Sequence, residues 1–156
     1  MEEFNDNVLI THKEYKRIDL QILLDSKVPK GTWRAGYANT EKDICLFITN
    51  DKSHIMQENL KYDNSLHSDE IIQWISQPKT YHSSNVGQMF IRHREKKMKV
   101  HIFARKYAFM NGNKTNPFIY LGQAGYYKSF GDKPMTILWK LHRKLPQELI
   151  QELYKL

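Results

Sequence analysis

From residue 88 onward the chain alternates short apolar, β-branched stretches with tight polar turns, and this pattern narrows the fold further than any other feature. QMFIRH (88–93), MKVHIFA (98–104), PFIYLGQA (117–124) and PMTILWKLH (134–142) have strand length and strand composition, and Gly122, Gly125 and Gly131 punctuate the run. Strands that follow one another through short turns pair antiparallel, and their twist curls the sheet toward a partial barrel. Earlier in the chain TWRAGYA (32–38) and ICLFIT (44–49) predict two more strands joined by NTEKD.

Helices are expected at three places around this sheet. Thr11 and Glu14 have capping-box spacing ahead of Tyr15, Ile18, Ile22 and Leu23, which recur at helical intervals up to about Ser26. Ser68 can cap a short helix carrying Ile71, Ile72 and Ile75, which Pro78 would stop. Pro146 opens a final amphipathic helix with Leu149, Ile150 and Leu153 on one face. The expected fold is α+β, a curled antiparallel sheet with flanking helices in one domain over residues 1–156. Its 156 residues suffice for a core without disulfide or metal staples.

Composition then limits the function. The only cysteine, Cys45, lies inside ICLFIT and reads as a buried, reduced strand residue. The seven histidines are scattered, which disfavours a metal centre, and no glycine-rich phosphate loop is present, so no cofactor is expected. The acidic MEEFNDN start lacks the chemistry of a targeting peptide, and no apolar run approaches the roughly 20 residues of a membrane span. A cytoplasmic protein with no membrane partner is expected.

A net charge of +7 and a pI near 9.4 favour a polyanionic partner. Charge concentrates between Arg92 and Lys106, where Arg92, Arg94, Lys96, Lys97, Lys99, Arg105 and Lys106 face a single Glu95. Read as a β-hairpin, this stretch would send Lys99, His101 and Arg105 to one face and Val100, Ile102 and Ala104 to the other, giving a stripe of cations suited to DNA phosphates. Lys79 adds a cation just upstream. The competing reading is a solvated edge strand whose lysines discourage aggregation, but seven basic residues in fifteen exceed that need.

Directly before these cations stand groups able to read a base. Tyr62 and Asp63 offer a ring to stack on and a carboxylate to accept from a cytosine amino group. Trp33, Tyr37, Trp74 and Tyr81 are further stacking candidates, and Gln77 can both donate and accept. Each aromatic has a plain alternative as a core residue, strongest for Trp139. Catalysis is a weaker reading: Glu95-Lys96-Lys97 has the acid-x-Lys spacing of Mg²⁺-dependent nucleases, but Glu95 can equally punctuate a solvated turn.

The order KYDN (61–64), WISQPKT (74–80), GQMFIRH (87–93), VHIFARK (100–106) and PFIYLGQAGYYKSFGDKPMTILWKLHRKLPQELI (117–150) resembles the family of the domain of unknown function numbered 3427 (DUF3427). That family commonly follows a superfamily 2 helicase, often behind a phospholipase-D-type nuclease, in bacterial restriction-like proteins. The resemblance implies a partial β-barrel of SRA/PUA-like or pseudobarrel-like kind that recognises methylated cytosine in double-stranded DNA. The domain would be no enzyme by itself, and its partners would be methylated DNA and the helicase and nuclease domains of the same or a partner protein. Carried onto this chain, the resemblance points to Tyr62, Asp63, Trp74, Ser76, Gln77 and the Gly87–His93 segment, to which the residues add Tyr81 and Trp33 for the base. Two departures stand out: Ile72-Gln73 replaces the aromatic and histidine expected before the tryptophan, and no helicase or nuclease motif is present. The readings that compete with a reader of 5-methylcytosine are a protein-interaction or regulatory module coupled to a helicase, and a Mg²⁺-dependent nuclease.

Overall fold

The structure is a computed structural model in which residues 9–24, 33, 35–50, 66–110, 112 and 114–154 are described. Along the chain run β1 (Glu14–Tyr15), α1 (Arg17–Leu23), β2 (Tyr37–Asn39), β3 (Asp43–Thr49), β4 (Ile71–Ile75), α2 (Asn85–Ile91), β5 (Lys99–Arg105), β6 (Phe118–Phe130), β7 (Thr136–Leu141) and α3 (Gln147–Tyr154). The α+β class is as expected. The strands form one sheet in the order β2-β3-β5-β6-β7-β4, with β1 paired to the start of β6.

The sheet curls without closing. Phe90 of α2 meets Tyr37 on one edge strand at 5.2 Å between ring centroids and Trp74 on the other edge strand at 5.1 Å, both edge-on. One aromatic ring thus spans the gap between β2 and β4, and edge-to-face pairs of this kind add to the area that burial removes from water.

Five expectations are corrected. The sheet is not antiparallel throughout: β3 and β5 run parallel in register from Asp43↔Lys99 to Thr49↔Arg105, because the connection from residue 50 to residue 98 crosses over instead of turning back. QMFIRH is not a strand. Its first residues belong to α2, whose cap Ser84 accepts from the Gly87 N–H at 3.1 Å, while Val86, Met89 and Phe90 recur at helical spacing toward the core. IIQWI is a strand and not a helix: Ile72 and Trp74 point inward and Ile71, Gln73 and Ile75 do not, the period-2 pattern of β4 pairing antiparallel with β7. Ser68 accepts from the Glu70 and Ile71 N–H groups, a local turn that ends where the strand begins. At the N-terminal side Glu14 sits in β1, so the helix starts later than expected, with the Lys16 N–H donating to Asp19 at 3.1 Å. Among the described residues of TWRAGYA, Tyr37 and Ala38 are strand and Trp33, Ala35 and Gly36 are not.

Each sheet face has its own apolar cluster. On one face Ile44, Leu46, Ile48, Ile72, Trp74, Val100, Ile102, Leu121, Ile137 and Trp139 pack under Phe90 of α2 and Leu149, Ile150 and Leu153 of α3. On the other, Cys45, Phe47, Phe103, Phe118 and Tyr120 pack under Leu9, Tyr15, Leu20 and Trp33. Cys45 is fully buried in β3, as expected of ICLFIT, and burial pushes its thiol well above the ordinary value. No helix among the described residues is long and apolar enough to cross a membrane.

Candidate nucleic-acid interface

The basic segment divides into an exposed turn and a buried strand. After α2 the chain keeps winding: Lys96 N–H donates to Arg92 O, Lys97 N–H to Arg94 O and Met98 N–H to His93 O, with Lys97 left-handed at φ 58°. Arg92, Arg94, Lys96 and Lys97 are exposed on this turn. Arg92 forms an ion pair with Glu95 at 2.8 Å, and their hydrogen bond holds the carboxylate below, and the guanidinium above, its ordinary value. Glu95 therefore has a partner of its own, and among the described residues no three His, Cys, Asp or Glu side chains group as a metal site would need.

Two residues fasten the turn to the sheet. His93, 4% exposed, accepts from the Tyr126 N–H at Nε2 (3.1 Å), which places its own proton on Nδ1, facing Met98 O at 3.0 Å. Arg94 donates through Nη1 to Tyr126 O at 3.2 Å and lies across Gly125, where any β-carbon would collide with the guanidinium. His93 and Arg94 thus supply an acceptor and a donor to Tyr126, beside the point where the β6–β7 register slips between Tyr126 and Lys128. Burial is the main cause that lowers the His93 pKa, with the charges of Arg94 and His142 adding to it.

Strand β5 does not carry the expected stripe. The alternation holds, but both faces are covered: Val100, Ile102 and Ala104 belong to one cluster, and His101 and Phe103 are buried on the other side. His101 bonds Asp43 through Nε2 and the Tyr120 hydroxyl through Nδ1, each at 2.8 Å. Lys99 is half-buried at the head of the strand. Arg105 is about 20 Å further along, donating to Thr49 Oγ1 and Asn116 O with its guanidinium 4.1 Å from the Phe118 ring centroid. Burial first, then the neighbouring Arg17, lowers it to about 10. Both are scaffold more than surface.

The base-reading candidates are likewise separated. Tyr62 and Asp63 lie outside the described residues. Trp74 is 1% exposed against Phe90, and Trp33 is buried in the cluster on the opposite face. Ser76 continues the β4–β7 ladder, its hydroxyl donating to Gln77 O and accepting from the Met135 N–H at 2.9 Å. Among the described candidates Tyr37 is half-buried against Phe90, and Gln77, half-buried, and Tyr81, exposed, lie with Lys79 on the loop between β4 and α2, the Lys133 ammonium 5.1 Å from the Tyr81 ring centroid.

Sequence reasoning overlooked the cations of the last third. Lys128, Lys133, Lys140, Arg143 and Lys144 are all exposed, and Lys140 pairs with the very Gly125 that Arg94 covers. Lys128 and Lys140 stood as isolated basic positions in β6 and β7, and the strand register is what brings Lys140 beside Gly125 and so to the turn.

The family described as Domain of unknown function (DUF3427) matches residues 9–153. No curated protein matches the chain. Among solved structures, Arabidopsis thaliana SUVH6 in complex with SAM is similar at TM-score 0.52 and 16% identity, over 89% of this chain and 27% of that one. The DNA modification-dependent restriction endonuclease AspBHI is similar at TM-score 0.50 and 12% identity, over 92% of this chain and 45% of that one. MspJI restriction endonuclease in complex with a 27-mer oligonucleotide follows at TM-score 0.49 and 9% identity, over 74% of this chain and 34% of that one. The chain spans less than half the length of each of these proteins, and at such identities the likeness concerns the fold.

Proposed function

The chain belongs to the DUF3427 family, and we propose that it reads a modified base, 5-methylcytosine, in double-stranded DNA and thereby directs helicase and nuclease domains to modified sites. The observation that carries this reading is the exposed turn of Arg92, Arg94, Lys96 and Lys97, fixed to β6 through His93 and Arg94 and continued by Lys140. A rigidly held cationic surface suits phosphates, which position a protein on a duplex without reading sequence. The fold shared with AspBHI, by name a DNA modification-dependent restriction endonuclease, supports the same reading.

Discrimination in this proposal falls to Tyr62, Asp63, Gln77 and Tyr81, a stacking and hydrogen-bonding set for a base drawn out of the duplex. Trp74, Ser76 and Trp33 contribute by holding the frame. An Asp63→Asn variant is expected to bind modified and unmodified duplexes about equally while its salt dependence stays that of the parent protein. Retained preference for the modified duplex would remove Asp63 from the pocket.

A further inference from the structure

Strand β6 changes partner along one edge, and the change leaves a cavity. Tyr120 exchanges hydrogen bonds with the segment before β1, its N–H donating to Lys13 O and its C=O accepting from the His12 N–H, whereas Gln123 O already accepts from the His142 N–H at the end of β7. Between them the β5–β6 register shifts and Gly122 takes φ 113°, a conformation that disfavours side chains. The resulting cavity of about 230 Å³ is lined by Leu9, Thr11, Tyr120, Gly122, Gln123, His142 and Arg143.

Its chemistry differs from that of two other cavities. One of those mixes Glu14 and Glu152 with Arg105 and Lys106, and the other contains Asp69. Around Gly122 the lining offers a hydroxyl, a phenol, an amide, an imidazole and a guanidinium, and no carboxylate among the described residues. Burial first, then the charges of Arg94 and His101, lowers the His142 pKa. Tyr120 is kept in place from behind by His101, itself bonded to Asp43. The volume falls below the roughly 300–1,000 Å³ of clefts that take in a whole small molecule, so a single group fits better than a nucleotide.

We propose that this cavity is a phosphate site, in which Arg143 and His142 meet the oxygens at the rim and Thr11 and Gln123 complete the donors. The phosphate is either a strand phosphate of DNA or that of a free mononucleotide or inorganic phosphate. The strand source rests on the DNA-reading proposal above, and the phosphate site itself does not.

The test titrates ¹⁵N-labelled protein with inorganic phosphate, against sodium chloride at equal ionic strength. Saturable shifts of the Gly122, Gln123 and Arg143 amides are expected, with affinity reduced at least tenfold in R143Q. The nucleoside 5-methyl-2′-deoxycytidine, which lacks phosphate, should leave these amides unmoved. In a second arm an unmodified duplex is titrated: several-fold weaker binding by R143Q, with the salt slope smaller by about 1, assigns the strand as source. Unchanged duplex affinity beside lost phosphate binding assigns the free species. The proposal is overturned if phosphate does no more than chloride, if R143Q responds like the parent, or if the nucleoside fills the cavity and phosphate does not. Equal binding of modified and unmodified duplexes would end the reader proposal while leaving the phosphate titration to stand or fall alone.

Discussion

Strand β4 with Ser76 just after it, and the turn at residues 92–97, flank the same short helix, α2, yet they meet opposite demands. The first is inside: Ile72, Trp74 and Ser76 are buried, and Trp74 packs on Phe90. The second is outside, holding four cations in water through one buried histidine and one arginine laid on a glycine. Aromatic residues near a basic segment are thus not by themselves a reading surface. Here they are the frame, and the surface is what the frame presents.

The sharpest way to break this contrast is to empty the frame. Phe90→Ala removes the ring between the two edge strands and is expected to cost about 3–5 kcal/mol, roughly a 10 °C fall in Tm for a chain of this size, seen by calorimetry. A similar loss is expected for Trp74→Ala, so weak DNA binding by that variant would report unfolding. If either variant melted like the parent, the aromatic bridge would not be holding the curled sheet.

Next in size is the turn. Replacing Lys96 and Lys97 together by alanine should leave Tm nearly unchanged while lowering DNA affinity about tenfold or more at low salt. The slope of log K against log salt should shrink by about 2. Unchanged slope would mean that these lysines do not meet phosphate.

The smallest effect is expected from acid. His93 has its folded pKa below the unfolded value of about 6.5, so the unfolded chain binds more protons. Its contribution is whole above that pH and is lost as pH falls through the window below it. Protonation would also place a hydrogen on Nε2, where the Tyr126 N–H must be accepted. His142 is shifted the same way, so the readout is a difference: Tm should fall between pH 7 and pH 5 in the parent and fall less in His93→Gln. Identical slopes would deny His93 this role.

What the sequence made legible follows the same division. The continuous apolar run ICLFIT identified a buried strand, MKVHIFA identified a strand but not that both its faces are covered, and Pro146 with Leu149, Ile150 and Leu153 identified α3, because periodicity reports burial directly. IIQWI was read as helix and QMFIRH as strand, each in place of the other state. Each is short, and a few apolar residues satisfy both periods until tertiary partners decide, here β7 for one and the Phe90 gap for the other. The parallel pairing of β3 with β5 left no local trace. Nor did the junction of Arg94, Gly125 and Lys140, which three separate elements bring together. The charge of the 92–97 turn was visible as composition, and its support was not.

One titration bears most directly on the central claim: matched duplexes carrying cytosine, 5-methylcytosine or 5-hydroxymethylcytosine at a single site, bound to the unsubstituted protein at physiological salt. Burying one methyl group is worth about 1 kcal/mol, so the 5-methylcytosine duplex should bind roughly fivefold tighter than the unmodified one. Equal affinity for all three would contradict the account.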